Sequence, residues 1–571
     1  MGKVRFSLLN TGVETLGDWN PQLMREIQGR LKLRSVLFTL LGSFLGQGLF
    51  LFWRYRTLEL RLGSCETADF LKKSQECVQA GTHYFFVNWQ EWWLQVFTWG
   101  CIFLMFGLVV GGSFMLISDL SQEDRQGTLT FISLSPQTAQ TILVGKMIGV
   151  PLLIFLAALL VLPLHYGSGL LAQIPFAKIV CFDLWLLAGS FFFYSLALLL
   201  GLVGNWLSGF QSWLGSAGIF MLLLLLKNSS IYKNSADWLY AFSPTALLPY
   251  VTNTFEQNGY GRELPFAHKN MVDLHWFTLP LGNTGLLMLL FALINYGLWS
   301  GWLWQPLQRR FRNPHISLLS KKQSYWATTC FITCSLKFSV YAKPSFDSNF
   351  VYAKPSFDSN MVVVLMTHLL WFLLLIVLLL PHHQALEDWA RFRGDYQSAK
   401  GRRQRIKDLI WADDSPTWVA IAINLGIAGI PIMAWMLVFP QGNRVDGAVG
   451  LLFNSTLILI FALFNQVMLL RSISHRNLWT TATLLGPVIL PIFLLAIFGV
   501  QSGQWGESLF FLTPFAFTAI KNIAFMRALQ IFLLHLGLIT GLTWQLNRQL
   551  KRSGESTTQR LLRGDKYVEQ G

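Results

Sequence analysis

Residues 361–380 read MVVVLMTHLLWFLLLIVLLL and contain no Lys, Arg, Asp or Glu. An apolar helix of about 20 residues is long enough to cross the hydrocarbon core of a bilayer. The whole chain has this character, since its 571 residues are 53% hydrophobic and only 13% charged, with a mean hydropathy of +0.45. An ordinary soluble domain carries about 25% charged residues. This composition excludes a soluble multidomain enzyme, a disordered protein and a secreted disulfide-rich scaffold.

Similar apolar runs recur along the chain and predict an all-α polytopic membrane protein with about 12 transmembrane helices. The runs are continuous rather than alternating, which argues against a membrane barrel. The first 34 residues are polar and basic without a cleavable signal pattern, so we expect the first span to stay as an anchor. The predicted spans are 35–53, 94–118, 147–166, 180–203, 210–226, 276–304, 324–342, 361–381, 417–439, 447–470, 479–499 and 523–547.

The distribution of cations predicts the orientation. With the N-terminus inside, the inner segments hold 28 Lys and Arg residues against 15 Asp and Glu, whereas the outer segments hold 14 against 13. This is the positive-inside pattern, so we expect both termini in the cytoplasm. The pI of 9.6 follows mostly from topology. A nucleic-acid partner is not expected, because no basic domain with interleaved aromatic residues is present.

Six of the 20 prolines follow a Ser, Thr or Asn, and such pairs are helix-start signals. They occur in the order Asn-Pro, Ser-Pro, Ser/Thr-Pro, given twice with matching topology. The pairs are Asn20-Pro21, Ser135-Pro136, Ser243-Pro244, Asn313-Pro314, Ser415-Pro416 and Thr513-Pro514. The alternative is chance placement of common capping pairs.

The repeated order predicts two parallel six-helix halves, at residues 1–310 and 311–552, followed by a cytoplasmic tail at 553–571. Parallel repeats imply an approximate two-fold axis along the membrane normal, with a substrate path between the halves. Separately, VYAKPSFDSN occurs at 340–349 and again at 351–360, in a predicted outer loop. We assign no function to this tandem copy.

The sequence contains no catalytic motif. It has no Walker A pattern and no paired metal-ligand spacing, so no catalytic residue, metal site or cofactor bound by this chain is predicted. Cys65 and Cys77 lie in the outer loop 54–92, where a disulfide is an option if that space is oxidising; the alternative is two free thiols. Ionisable residues inside the spans are sparse, which counts against an ion-coupled carrier.

The predicted inner loop 119–146, DLSQEDRQGTLTFISLSPQTAQTILVGK, is the most structured polar stretch. A charged helical turn around Glu123 and Arg125 is expected to end at Gly127-Thr128. The apolar residues that follow suit a membrane surface. We expect Ser135-Pro136 to start a second short helix that leads through Gly145-Lys146 into the third span. The loop is either an ordinary interfacial loop or a docking site for a cytosolic protein.

This loop resembles that of the ABC-2 type permease family, the membrane subunits of ABC exporters. The family pattern Glu-x-x-x-Gly-Thr, Ser/Thr-Pro, Gly-Lys is matched at Glu123, Gly127, Thr128, Ser135, Pro136, Gly145 and Lys146. The stretch from Asn20-Pro21 through Arg25 and Glu26 is similar to the family's elbow helix before the first span. The second half matches in topology and in Asn313-Pro314, Ser415-Pro416 and Thr513-Pro514. Its inner loop has Glu387 and Asp388 but neither Gly-Thr nor Gly-Lys.

The resemblance implies six spans per half, re-entrant outer helix pairs near 242–275 and 505–522, and separate ABC ATP-binding subunits that bind ATP and Mg. Those subunits would dock at 119–146 and 382–416. In this interpretation Glu123 and Arg125 hold the elbow and loop together or pair with the partner, and the two Ser-Pro pairs fix the corners of the loops. A homodimer is expected only if one chain is not the full permease.

The sequence thus predicts the permease component of an ABC transporter, an exporter in a bacterial plasma (inner) membrane, surrounded by lipid. One alternative is an ion-coupled secondary carrier with parallel repeats. The other is a non-transporting membrane assembly factor.

Overall fold

A computed structural model describes residues 17–62, 77–79, 85–203, 209–227, 231, 233–252, 274–313, 316–338, 357–391, 399–438, 444–471, 493, 497, 510–511, 513, 516–520 and 523–554. Within these ranges, nine helices are long and apolar enough to cross a membrane. The chain is therefore a multi-pass helical membrane protein, as the composition predicts. The strands in the same ranges are β1 (Cys77–Gln79) and β2 (Phe85–Val87), which pair antiparallel.

The chain divides into two compact units. The first comprises Met1–Ile231, Leu239–Leu274 and Pro280–Arg312, and the second comprises Tyr232–Trp238, His275–Leu279 and Asn313–Gly571. Whether the two halves of the sequence are structural repeats stays a prediction.

Apart from the β1–β2 pair and short connections, the described part of the first unit is helical. Its α-helices are α1 (Pro21–Arg30), α2 (Leu33–Leu62), α3 (Trp89–Phe106), α4 (Gly112–Arg125), α5 (Thr128–Ser133), α6 (Ala139–Gly149), α7 (Leu152–Leu171), α8 (Phe176–Val203), α9 (Phe210–Lys227), α10 (Leu248–Val251) and α11 (Gly285–Arg312). Short 3₁₀ segments occupy Ser235–Phe242, Pro244–Leu247 and Leu281–Asn283. Helix α8 packs against α4 and α11, α3 packs against α7, and α1 packs against α6.

Helices α3 and α4 are joined by a π-helical turn, Gly107–Gly111, into one continuous helix Trp89–Arg125. A π turn leaves a backbone carbonyl available to other donors. The Tyr194 hydroxyl, on α8, donates to the Leu108 carbonyl at 2.7 Å. Gly112 makes room for this contact, because a Cβ there would lie 2.1 Å from the Tyr194 Oη.

The second unit contains α12 (Lys321–Leu336), α13 (Phe357–Leu379), α14 (His383–Arg391), α15 (Ala399–Trp411), α16 (Trp418–Val438), α17 (Arg444–Leu469), α18 (Ala516–Ile520) and α19 (Phe525–Gly554). Helix α17 lies at the centre of the described part and packs against α13, α16 and α19. Buried Leu386, Leu463 and Leu546 join α14, α17 and α19 in one apolar cluster. Helix α14 is thereby held against the spanning helices.

Nine of the predicted spans coincide with helices that can cross a membrane. The fifth, 210–226, corresponds to a shorter apolar helix, and the seventh, 324–342, to α12, which has 16 residues. The eleventh, 479–499, lies outside the described residues except for 493 and 497. A total of twelve spans is therefore not confirmed.

Several predicted boundaries differ from the observed helix ends. The sixth span begins at Gly285 rather than at 276, because Pro280 and the 3₁₀ turn Leu281–Asn283 interrupt the helix. The third begins at Leu152, because α6 ends at Gly149 and Pro151 separates α6 from α7. The eighth begins at Phe357, so the last four residues of the second tandem copy are helical.

The predicted helix start is confirmed at Asn20-Pro21. Asn20 caps α1, with its side chain accepting from the Leu23 amide, and Pro21 is the first helical residue. Ser243 precedes the 3₁₀ segment Pro244–Leu247, but its side chain makes no capping hydrogen bond to that segment.

The prediction at Ser135-Pro136 is wrong. Helix α6 begins at Ala139, and Thr138 caps it by accepting from the Thr141 amide. Ser415-Pro416 also precedes its helix, α16, by two residues.

A second elbow helix after Asn313 is not formed in the described residues. Pro314 lies outside the described ranges, and residues 316–320 are not helical. Helix α12 begins at Lys321, where Ser320 and Gln323 form a reciprocal capping box. That cap sets the helix start, and it leaves only a short connection after Asn313.

Candidate functional site

The candidate site is the junction between the elbow helix α1 and the loop helices α4 and α6. Two glycines on α6 let α1 approach closely. A Cβ at Gly145 would lie 2.7 Å from the Asn20 Oδ1, and one at Gly149 would lie 2.5 Å from the Glu26 Cβ. The Asn20 amide also donates to the Thr141 carbonyl at 2.8 Å. The Gly-Lys motif therefore serves first as a packing surface for the start of α1.

Lys146 lies at the centre of this junction and is fully buried. Its Nζ lies 2.7 Å from Asp119 Oδ2, 2.7 Å from Glu123 Oε2 and 3.5 Å from Glu26 Oε1. Asp119 and Glu123 are four residues apart on α4, so one helix face presents both carboxylates. Glu26 comes from α1. One ammonium thus joins three helices.

Two arginines of α1 complete the cluster. Arg30 contacts Asp119 Oδ1 at 2.5 Å and Glu26 Oε2 at 3.1 Å. Arg25 pairs with Glu123. Three carboxylates and three cations therefore balance within what we call the charge cluster, consisting of Arg25, Glu26, Arg30, Asp119, Glu123 and Lys146. Balanced pairing is what allows charges to be buried at all, because an unpaired buried charge costs several kcal/mol.

The charge cluster raises the pKa of Lys146 above its ordinary value. Burial alone would lower this pKa, but the carboxylates of Asp119, Glu123 and Glu26 outweigh that effect. Lys146 is therefore a fixed positive charge at any physiological pH.

The carboxylates of Glu26, Asp119 and Glu123 offer oxygens within 4.8 Å of one another, a spacing that can hold a metal ion. Here the Lys146 ammonium already lies among them. The charge cluster is accordingly an ionic joint between helices.

Helix α5 projects beyond the charge cluster. Gly127 adopts φ +71°, a left-handed conformation that favours glycine, and it turns the chain between α4 and α5. The Thr128 hydroxyl donates to the Glu123 carbonyl at 3.1 Å and ties the turn to α4. Phe131 and Leu134 are 84% and 80% exposed. The Gly-Thr motif thus builds a fixed turn that presents two exposed apolar side chains.

The remaining predicted loop residues lie apart from the charge cluster. Arg125 is exposed, and its Nε donates to the Ser121 carbonyl of its own helix at 3.1 Å. Ser135 and Pro136 lie between α5 and α6. Glu123, rather than Arg125, connects the loop to the elbow.

A second buried lysine, Lys321, lies at the start of α12 in the second unit. Its Nζ donates to the Leu409 carbonyl at 2.8 Å, to Ser415 Oγ at 2.5 Å and to the Pro416 carbonyl at 3.1 Å. The last carbonyls of a helix lack partners within the helix. Lys321 supplies one for α15, and Tyr325, one turn later, donates to the Ile410 carbonyl at 2.7 Å. We call Lys321, Tyr325, Ser415 and Pro416 the carbonyl cradle.

Burial lowers the pKa of Lys321 to about 7, although Asp413, Asp414 and Asp408 oppose this effect. The atoms that its Nζ contacts are neutral oxygens, which stabilise the ammonium less than carboxylates do. Ser415 and Pro416 lie in the connection between α15 and α16, and Lys321 contacts both of them.

The predicted loop residues Glu387 and Asp388 do not join this cradle. Glu387 contacts His383 at 3.4 Å, and Asp388 contacts Arg391 at 3.5 Å, both within α14. His382 and His383 are half-buried at the start of the same helix.

The predicted site residues left out three side chains that the structure brings in. Asp119 and Arg30 belong to the charge cluster, and Lys321 forms the cradle. The signal for the first two was present, because Arg30 follows Glu26 and Glu123 follows Asp119 by four residues. Lys321 gave no such signal, since its partners are mostly backbone carbonyls.

The structure describes only some of the site residues that were predicted to lie in outer loops. Ser243 is buried, and its hydroxyl lies 2.7 Å from that of Thr245. The Thr513 hydroxyl donates to the Phe510 carbonyl at 2.7 Å, and Pro514 lies outside the described residues. Cys65 lies outside them as well, so a Cys65–Cys77 disulfide stays a prediction.

One ionisable pair lies among the spanning helices of the first unit. Asp183 on α8 lies 3.2 Å from His165 Nε2 on α7, and Tyr166 donates to its other oxygen at 2.6 Å. Asp183 thus pairs with two consecutive residues of the neighbouring helix α7. Ionisable residues in such positions are candidates for function.

Comparisons of this chain with protein-family models, curated proteins and solved structures found no match.

Proposed function

We propose that this chain is the permease component of an ABC exporter, which couples ATP hydrolysis by separate ATP-binding subunits to substrate movement across the plasma membrane. The single observation that carries the proposal is the charge cluster, which joins the elbow helix and the loop into one solid body. The loop motif at Glu123, Gly127 and Lys146 resembles that of the ABC-2 type permease family, and this resemblance supports the proposal.

A rigid junction is what a coupling element requires. Helix α1 leads into α2, α4 continues from α3, and α6 leads into α7. Helix α2, the continuous helix formed by α3 and α4, and helix α7 are all among the helices able to cross a membrane. Because Lys146 and the two arginines tie α1, α4 and α6 together, a force on the loop is passed to three spanning helices at once.

Phe131 on α5 and Leu134 directly after it are the proposed contact with the ATP-binding subunit. Phe131 and Leu134 stand on a turn fixed by Gly127 and Thr128. Exposed apolar residues beside a polar surface are typical of a binding site for another protein. Binding of ATP to the partner would favour one of two membrane conformations by the difference in its affinity for them.

The test is the variant Phe131→Ser with Leu134→Ser, co-expressed with ABC ATP-binding subunits from the same genome and purified beside the wild-type chain. Exposed substitutions of this kind change stability by only about 0.5 kcal/mol. We expect normal membrane insertion, loss of co-purification and loss of any transport-linked ATP hydrolysis. Thr130→Ala with Gln140→Ala is the matched control, because both residues are exposed on the same loop.

The proposal is refuted if no ATP-binding protein associates with the wild-type chain. It is also refuted if the Phe131 and Leu134 double variant binds and hydrolyses as wild type does. Glu123→Ala with Gly127→Val also tests coupling, but it removes a member of the charge cluster. Its result must therefore be read beside a measurement of stability.

The second candidate is an ion-coupled secondary carrier, which the pairing of Asp183 with His165 and Tyr166 favours. A carrier would lose transport when ion gradients are dissipated, whereas an ABC exporter would lose it when ATP is withdrawn. Asp183→Asn should abolish flux in the carrier alone. A non-transporting assembly factor would respond to neither treatment.

A further inference from the structure

Helix α15 in the second unit is strongly basic. Residues 399–411 contain five Lys or Arg residues and a single acidic residue, Asp408. Among those whose side chains the structure describes, Arg403 and Lys407 are exposed and Arg405 is half-buried. In the described part of the chain, none of these three cations has an ion-pair partner. The helix therefore presents positive charge that no described residue neutralises through an ion pair.

The same exposed face carries apolar side chains. Ile406 and Trp411 are both more than half exposed. Residues 406 and 407 lie three and four positions after residue 403, and residue 411 lies four positions after residue 407, so these residues share one face of the helix. Cations mixed with large apolar residues on one face are typical of helices that lie in the headgroup region of a membrane.

The carbonyl cradle fixes α15 at the level of a membrane boundary. Lys321 and Tyr325 bind the carbonyls of Leu409 and Ile410, and Ser415 lies just before α16, which can cross a membrane. The Trp411 ring packs edge-on against Tyr325 with centroids 5.7 Å apart. Trp and Tyr are enriched at this depth in membrane proteins. Helix α15 is thus held at the end of a spanning helix, not free in solvent.

We propose that α15 is a binding site for anionic phospholipid headgroups. Arg403 and Lys407 would contact the phosphates, Arg405 would add positive charge to the same helix, and Ile406 and Trp411 would enter the acyl boundary. The exposed tryptophan and isoleucine favour lipid over an acidic protein, because both residues lie beside a spanning helix rather than on a projecting loop such as α5. Helix α15 falls within the segment 382–416, which the family resemblance assigns to docking of an ATP-binding subunit, but lipid binding at this site does not require the proposed transport function.

The test uses the full-length chain in detergent without any partner or substrate. Native mass spectrometry measures how much phosphatidylglycerol and phosphatidylcholine it retains at equal concentrations. Each cation near a lipid surface contributes roughly a fivefold effect on binding. The variant Arg403→Gln, Arg405→Gln, Lys407→Gln should therefore lose at least fivefold of the preference for phosphatidylglycerol. Ile406→Asn should weaken binding of both lipids.

The matched control neutralises Arg548, Lys551 and Arg552, three exposed cations at the end of α19. It removes the same charge and should keep the preference. A photoactivatable phosphatidylglycerol should label a peptide containing residues 399–411. If the triple variant does not fold, Arg403→Gln and Lys407→Gln singly provide the same comparison.

Three results would overturn the proposal: an unchanged lipid preference in the α15 variant, an equal loss in the α19 control, or labelling elsewhere only. Loss of an ATP-binding partner with an unchanged lipid preference would instead assign α15 to protein docking. Because no partner is present in the lipid measurement, failure here leaves the proposed permease function to its own test.

Discussion

The charge cluster and the carbonyl cradle both bury a lysine, at 0% and 1% exposure, yet they treat its charge in opposite ways. Lys146 lies among three carboxylates, and its pKa is raised. Lys321 contacts backbone carbonyls and a hydroxyl, and its pKa falls to about 7. Burial is common to both. The formal charge of the partners decides whether a buried lysine remains permanently charged.

The largest effect is expected from Lys146→Met. This change leaves Glu26, Asp119 and Glu123 with only two arginines, and removing one partner of a buried ion pair costs about 3–5 kcal/mol. The free energy of unfolding in mixed detergent should fall by that amount. Lys146→Arg, which keeps the charge, should lose much less. Equal stability of Lys146→Met and wild type would show that the charge cluster does not hold the junction.

A smaller loss is expected from Lys321→Met. It removes a donor from three oxygens but leaves no buried formal charge without a partner, so the cost is about 1–3 kcal/mol. The same unfolding measurement compares the two methionine variants directly. A loss as large as that of Lys146→Met would contradict the distinction between the two lysines.

The pH dependence separates the two lysines further. The folded pKa of Lys321, about 7, is below the ordinary value, so the unfolded chain binds more protons between these values. Stability of wild type relative to Lys321→Met should therefore rise from pH 7 to pH 9.5, by about 1 kcal/mol per unit. The pKa of Lys146 is raised, so it stays protonated in both states over this range. The difference between wild type and Lys146→Met should be constant there, and a slope would contradict the assigned charges.

The smallest effect is expected within the charge cluster itself. The Arg25 side chain is 50% exposed, and that of Arg30 is 23% exposed. Exposed ion pairs contribute only about 0–1 kcal/mol. Arg25→Ala should thus cost less than 1 kcal/mol, and Arg30→Ala should cost more. If Arg25→Ala lowers the melting temperature more than Arg30→Ala does, the more strongly stabilising ion pair of the charge cluster is that of Arg25.

Much of the fold could be predicted from the sequence, because apolar runs without charges have few alternatives to spanning helices. Residues 361–380 were recognisable in this way. Helix boundaries were harder to predict where several Ser or Thr residues lie close together, because any one of them could cap the helix. Thr138, not Ser135, starts α6, and Ser320 starts α12. Only the local backbone decides which of several nearby Ser or Thr residues accepts the free amides.

The candidate site was predictable in part. The loop motif pointed to Glu123, Gly127, Gly145 and Lys146, and each has a definite structural role. Asp119 and Arg30 required knowledge of which helix faces meet. Lys321 could not be predicted, because the carbonyls that it contacts become acceptors only where α15 ends.

The π turn between α3 and α4 has a consequence for the charge cluster. A π turn carries one residue more than an α turn, and each residue of an α-helix corresponds to a rotation of about 100°. Were Gly107–Gly111 to tighten into α-helix, the whole stretch after it would swing by that angle, and Asp119 and Glu123 would face away from Lys146. The Tyr194 hydroxyl, hydrogen-bonded to the Leu108 carbonyl within the π turn, thus helps to fix the direction in which Asp119 and Glu123 point, more than two turns further along the same helix.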